Sequence, residues 1–194
     1  MALYDPKTAL VIVDLQNDFA DPRGSLYVQG GEQVIPVANE ERARARAAGS
    51  QVFFTQDWHP AHTPHFSQDG GIWPVHCVQG TWGAAFSPGV VVDGVVLRKG
   101  IDGRDGYSGF SVRDPGSGAT EATELERLLR EAGAERVVIT GIATDYCVVE
   151  TVSDARMLGF EVDVVADGIR AVDLSPGDGE RAMRRMRDAG AELV

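Results

Sequence analysis

Val137-Val-Ile-Thr-Gly-Ile-Ala-Thr-Asp-Tyr-Cys-Val-Val-Glu-Thr151 decides how the rest of this chain is read. It opens as a β-branched apolar run, turns at Gly141, offers Thr144 as a helix cap and sets Cys147 in the first turn of the helix beyond. A strand, a tight turn and a helix start, in that order, predict one unit of a parallel sheet. The cysteine stands where unpaired N–H groups and the helix dipole favour thiolate, which makes it a nucleophile candidate. For Cys147 taken alone, an inert thiol buried on a helix face is the competing reading.

Moving outward, the same alternation recurs. Thr8-Ala-Leu-Val-Ile-Val13 is a continuous apolar run suited to a strand buried on both faces, and it ends at Asp14. Further strands are predicted over 51–55, 95–97, 136–140 and 160–165, with a short last one over 192–194. Helices are predicted over 33–48, from a cap at Thr120 or Thr123 to Arg130, over 146–158, and from Ser175-Pro176 to Asp188. Gly49, Gly133, Gly159 and Gly190 serve as stops. The predicted class is α/β, a three-layer α/β/α domain over 1–194 built on an open, mostly parallel, six-stranded doubly wound sheet. The segment 102–118 reads as a polar loop anchored by Tyr107 and Phe110.

Composition narrows the function classes. The chain has 194 residues, 43% hydrophobic and 24% charged, as expected of a globular domain with a substantial core. A formal net charge of -11 argues against nucleic-acid and membrane-surface partners. The opening Met-Ala-Leu-Tyr-Asp-Pro has neither a basic n-region nor an apolar h-region, so the expected location is the cytoplasm. The two cysteines, Cys77 and Cys147, do not make a disulfide framework. Only two of the 18 basic residues are lysines, Lys7 and Lys99. An internal lysine on such an Arg-rich background invites a role for a compact, tunable ammonium.

Two constellations carry the chemistry. Asp14, Lys99 and Cys147 all stand at strand ends, where a doubly wound sheet gathers its ligands. Chemically they make a nucleophile, a carboxylate to move its proton and an ammonium to favour charged forms. Backbone N–H groups of Ala143 and Cys147 could hold an oxyanion. The second constellation lies in 57–86, a stretch without clear regular structure that carries all four histidines and all three tryptophans. Such a long connection in a compact domain is usually functional. Asp57, His59 and a further histidine could hold a borderline-soft divalent ion, Zn, Fe or Mn. Histidines hydrogen-bonded within a loop are the alternative, with His62 a bystander and Cys77 either a ligand or a plain buried thiol. Phe19 could wall a pocket or pin its loop.

Together these pieces resemble the nicotinamidases, or pyrazinamidases, of the isochorismatase-like cysteine hydrolase superfamily. The matching segments are Ile12-Val-Asp-Leu-Gln-Asn-Asp-Phe19, Asp57-Trp-His-Pro60 with Phe66, Trp73-Pro-Val-His-Cys-Val-Gln-Gly-Thr81, Lys99-Gly100, Tyr107-Ser-Gly-Phe110 and Gly141-Ile-Ala-Thr-Asp-Tyr-Cys-Val148. The resemblance implies Cys147 as nucleophile, Asp14 as general acid/base and Lys99 as third triad member. It implies Asp57, His59 and His76 as ligands of one divalent metal ion, with His65 matching a fourth ligand of some members. It also implies a cis peptide between Ile142 and Ala143, an oxyanion site at Ala143 and Cys147, and aromatic walls at Phe19, Trp73 and Tyr107. The expected reaction converts nicotinamide to nicotinate and ammonia through a cysteine thioester, with pyrazinamide as a second substrate. The alternative is another amidase or N-carbamoyl hydrolase of the superfamily. The expected partner is a small pyridine carboxamide, and the expected assembly a monomer or homodimer.

Overall fold

The computed structural model describes residues 2–194. In chain order it comprises β1 (Thr8–Val13), the one-turn α1 (Asn17–Ala20), α2 (Val34–Ala47), β2 (Gln51–Asp57), β3 (Val95–Lys99), β4 (Ser111–Arg113), β5 (Thr120–Ala122), α3 (Leu125–Glu131), β6 (Arg136–Ile142), α4 (Val149–Met157), β7 (Glu161–Arg170), α5 (Asp178–Asp188) and β8 (Glu192–Leu193). Six strands pair in parallel in the order β3-β2-β1-β6-β7-β8. Among the described residues no helix is long and apolar enough to cross a membrane.

The pleat sorts each buried run into two cores. Ala9, Val11 and Val13 point to one face with Phe53, Val137 and Ile139, against Leu125 and Leu129 of α3, Val149 and Val152 of α4, and Met186 of α5. Leu10 and Ile12 point to the other face with Phe54 and Val138, against Val34, Ala38 and Ala45 of α2. A strand apolar at every position is therefore required: β1 is buried along its whole length because helices cover both faces. Each fully buried Leu, Ile or Phe adds about 1.5–3 kcal/mol relative to exposure.

From β1 the chain first winds outward through β2 to β3, then returns to β6 and winds the other way to β8. The reversal lies between β1 and β6, and an open sheet leaves a crevice at the carboxyl ends of the strands there. Asp14 follows β1 and Cys147 follows β6, so the topology delivers both to one crevice.

Several boundaries depart from the sequence reading. β2 and β3 run on to Asp57 and Lys99, placing both side chains within strands. β7 continues through Asp167-Gly168 to Arg170, because a bulge opposite Ile139–Gly141 absorbs the extra residues and the Thr140 hydroxyl donates to the Gly168 carbonyl at 2.6 Å. The polar loop contains β4, which pairs with β5 as an antiparallel ribbon. Thr120 therefore lies in a strand and caps no helix. The Thr123 hydroxyl accepts from the Leu125 N–H at 3.2 Å at the start of α3. Thr144 makes no side-chain cap either: Thr144–Val148 is a π-helical turn ahead of α4.

Candidate active site

The catalytic candidates converge. Asp14 is fully buried at the end of β1, with a left-handed φ of 48°. Its Oδ1 accepts from the Thr55 hydroxyl at 2.6 Å, and its Oδ2 lies 2.9 Å from Lys99 Nζ. β2 lies between β1 and β3, and Asp57 is the register partner of Lys99. The lysine therefore ion-pairs with Asp57 as well as Asp14. Its ammonium also donates to the Gly106 carbonyl at 3.0 Å and lies 3.6 Å from Cys147 Sγ. Asp14, Asp57 and Cys147 form one close set of donor atoms, and the cation among them is this ammonium.

Cys147 is presented by the wide turn after β6. The Ala143 carbonyl accepts from Val148 at 3.0 Å, five residues on, as a π-turn requires. Such turns recur at functional sites. The Ile142–Ala143 peptide is cis. Gly141 has a φ of 128°, and a Cβ there would meet the Val13 carbonyl oxygen at 2.1 Å, so β1 and β6 close up only around glycine.

Burial changes the expected electrostatics. It pushes the Cys147 thiol well above its ordinary pKa; Lys99 works against the shift, and Asp14 and Asp57 add to it. The dipole expected from a helix start does not prevail, because Cys147 is buried beside two carboxylates. A thiol held this way would need a base to act as a nucleophile. Burial also raises the Asp14 carboxyl, against the pull of Lys99. Asp57 is buried too, yet Lys99 and His59 hold it well below the usual carboxylate range. Two carboxylates around one ammonium are thus driven apart, Asp14 toward proton exchange and Asp57 toward a fixed anion. Burial works to lower Lys99, but Asp14 and Asp57 hold it well above its ordinary value.

The histidine loop supplies the second half. Ring nitrogens of His59, His65 and His76 lie within 4.8 Å of one another. Asp57 Oδ2 is 3.7 Å from His59 Nε2, so this carboxylate touches both the ammonium and the histidine cluster. Both ring nitrogens of the buried His59 lack a hydrogen-bond partner. Leaving two such atoms orphaned is costly, and a shared cation would satisfy the one facing the cluster. His76 Nδ1 is 2.7 Å from the Pro74 carbonyl, which fixes its proton there and leaves the Nε2 lone pair free to ligate. Burial lowers His76 to about 4, keeping it in the neutral form a metal requires. Three imidazoles and a carboxylate fit a borderline divalent ion. His62 is exposed and pairs with Asp69 instead. Cys77 is a buried free thiol outside this set.

Between the two halves lies a pocket enclosing roughly 380 Å³ of non-atom space, its open mouth included. Phe19, Trp73 and Tyr107 all line it, as do Ala143 and Cys147. The Trp73 indole N–H donates to the Tyr107 hydroxyl at 2.8 Å.

Sequence reasoning passed over three contributors. Tyr146 lines the pocket with its ring 4.8 Å from that of Trp73. Gln16 clamps the Asp57 backbone in both directions, accepting from its N–H and donating to its carbonyl at 2.7 Å each. Asp105 Oδ1 lies 3.0 Å from His65 Nδ1. For Gln16 the available signal was a polar residue just past the end of a buried strand, beyond Asp14 and Leu15; for Asp105, inside a polar loop, there was none.

Comparison with known proteins agrees with this geometry. The Isochorismatase domain model matches residues 8–194. The nicotinamidase of Escherichia coli (strain K12) is 36% identical over 97% of this chain and 94% of its own length. The pyrazinamidase of Pyrococcus horikoshii, solved in complex with zinc, superposes with a TM-score of 0.87 at 39% identity, covering 97% of this chain and 99% of that one. PnC1 from L. infantum, solved in complex with nicotinate, superposes with a TM-score of 0.89 at 36% identity, covering 100% and 95%. With a family model spanning nearly the whole chain and a shared fold at this level of identity, the chain belongs to the isochorismatase family.

Proposed function

We propose that this protein is a nicotinamidase, a cysteine amidohydrolase that converts nicotinamide to nicotinate and ammonia and also accepts pyrazinamide. The observation that carries the reading is an aromatic pocket reached by Cys147, which Asp14 and Lys99 back, and by His65 and His76 of the histidine cluster, with Asp57 between the two sets. Nicotinamidase and pyrazinamidase relatives over nearly the full length support it.

The residues that would hold a divalent ion are Asp57, His59, His76 and His65. An ion bound there, Zn, Fe or Mn, would supply a Lewis acid suited to a pyridine-type nitrogen. Phe19, Trp73 and Tyr107 hold the flat ring between them. Asp14 takes the thiol proton and Cys147 attacks the carboxamide carbon. The Ala143 and Cys147 N–H groups hold the tetrahedral oxyanion. Protonated Asp14 passes its proton to the amide nitrogen as the oxyanion collapses and the C–N bond breaks, so that ammonia departs and a thioester remains. Asp14 then takes a proton from water as the water attacks the thioester carbon and returns it to Sγ as the C–S bond breaks, and the acid released loses its proton to solvent as nicotinate. Lys99 keeps its charge throughout and stabilises whichever of Asp14 and Cys147 is anionic.

The cluster also weighs against an N-carbamoyl hydrolase, since a ureido acid has no ring nitrogen for it to read. The test is ammonia release from nicotinamide before and after thorough chelation, with Zn, Fe and Mn added back. Activity should be lost on chelation and recovered with at least one of the three. Full activity in verified metal-free protein would refute the role given to the cluster.

A further inference from the structure

The three imidazoles of the cluster differ in what steadies them from behind. His76 is held through Nδ1 by a carbonyl two residues away. Both nitrogens of His59 are unpartnered. His65 alone is backed by an ionic group from a distant segment, the Asp105 carboxylate at 3.0 Å from Nδ1. That oxygen of Asp105 is buried and has no hydrogen-bond partner, so the 3.0 Å approach of the His65 ring is the contact that answers it.

We propose that Asp105 is the positioning residue of the histidine cluster, holding the His65 ring so that its Nε2 completes the ligand set. This rests on the reading of the cluster as a divalent-cation site. A carboxylate behind an imidazole fixes the proton on the near nitrogen, orients the ring and raises the basicity of the far nitrogen. Asp105 is well placed to do so. Its backbone N–H donates to the Arg113 carbonyl at 2.7 Å and its carbonyl accepts from the Arg113 N–H at 2.5 Å, which roots it on β4. The neighbouring Arg104 is engaged by Asp102 and Glu121 and leaves Asp105 to the histidine. The ring it backs stacks on His59, with centroids 4.9 Å apart at 22°.

The next two residues extend the consequence. The Gly106 carbonyl accepts from Lys99, and Tyr107 walls the pocket. Three successive residues thereby touch the histidine cluster, the ammonium and the substrate space. The exposed β4–β5 ribbon, which has no chemistry of its own, is the mount on which this segment is fixed.

The experiment measures Zn²⁺ affinity by competition with a chromophoric chelator, and the d–d absorption of the Co²⁺-substituted protein. Asp105→Ala and Asp105→Asn are each made in the wild-type and His65→Ala backgrounds, with unfolding curves to confirm folding. Asp105→Ala should weaken Zn²⁺ binding about 10–100-fold. It should also move the Co²⁺ spectrum in the direction His65→Ala moves it. Asp105→Asn, which keeps a carbonyl acceptor, should lose less. Neither change should weaken binding further once His65 is gone, because the carboxylate acts through that ring. Wild-type affinity in a folded Asp105→Ala protein, or the same loss in both backgrounds, overturns the proposal. Should Asp105→Ala not fold, Asp105→Asn decides by the same two-background criterion. A wild type that binds no Zn²⁺ overturns the cation-site reading and this inference together, whereas a metal-binding wild type with indifferent Asp105 variants overturns this inference alone.

Discussion

Lys99 is the residue on which the site's charge turns. It is a buried ammonium between Asp14 and Asp57, and among the described residues no other lysine or arginine lies within ion-pair distance of either carboxylate. Removing it leaves two uncompensated buried anions, so Lys99→Met should destabilise the fold by about 3–5 kcal/mol in urea unfolding. A loss below about 1 kcal/mol would contradict this account of the pair. Asp14→Asn keeps an acceptor for the Thr55 hydroxyl but cannot exchange a proton. It should lower kcat about 10²–10⁴-fold with metal content unchanged. These roles were partly legible in the sequence, because Asp14, Lys99 and Cys147 come after apolar runs whose ends a doubly wound sheet brings together. The pairing of Lys99 with Asp57 was not legible, since it depends on the register between β2 and β3. Nor was the raised thiol, which depends on how deeply the turn is buried.

At the scale of elements, β6 and the turn after it set the active-site geometry. Gly141→Ala forces a Cβ against the Val13 carbonyl at a backbone angle alanine resists, so it should cost more than about 2 kcal/mol and be seen as a lowered Tm. α2 is tied to the N-terminal segment by the Tyr4 hydroxyl, which donates to Glu41 at 2.8 Å. Burial and the Glu41 carboxylate raise the Tyr4 phenol above its ordinary 10.0. A raised folded pKa means that this contribution is complete below about pH 10 and is lost as pH rises through the folded value. Tyr4→Phe should therefore flatten the decline of unfolding free energy above pH 10, and an unchanged slope would count against it. The six sheet strands were readable as β-branched or apolar runs, with β2, β6, β7 and β8 each following a helix stop at Gly49, Gly133, Gly159 or Gly190. The β4–β5 ribbon was not, because two three-residue strands with no buried side chain carry no periodic signal. The end of β7 was hidden as well, because Asp167-Gly168, which reads as a turn, is taken up in a bulge.

For the molecule as a whole, topology explains why one crevice holds everything. Asp14 and Cys147 come from the two strands at the reversal of the sheet, while Asp57 and Lys99 come from the next two strands on one side. The connection from β2 to β3 carries His59, His65 and His76, the other members of the proposed cation site. Since the cluster is assembled only in the folded chain, a bound ion should stabilise by mass action. At a free Zn²⁺ concentration 100 times Kd the gain is about 2.7 kcal/mol, visible as a higher Tm than in chelated protein. Identical melting with and without metal would contradict a cation site at these residues. The central claim is that Cys147 attacks the carboxamide of nicotinamide, and it is tested most directly by ammonia release from metal-loaded wild type and Cys147→Ala in parallel. The account predicts turnover by the wild type and a loss of at least about 10³-fold in the variant; equal rates in the two proteins would contradict it.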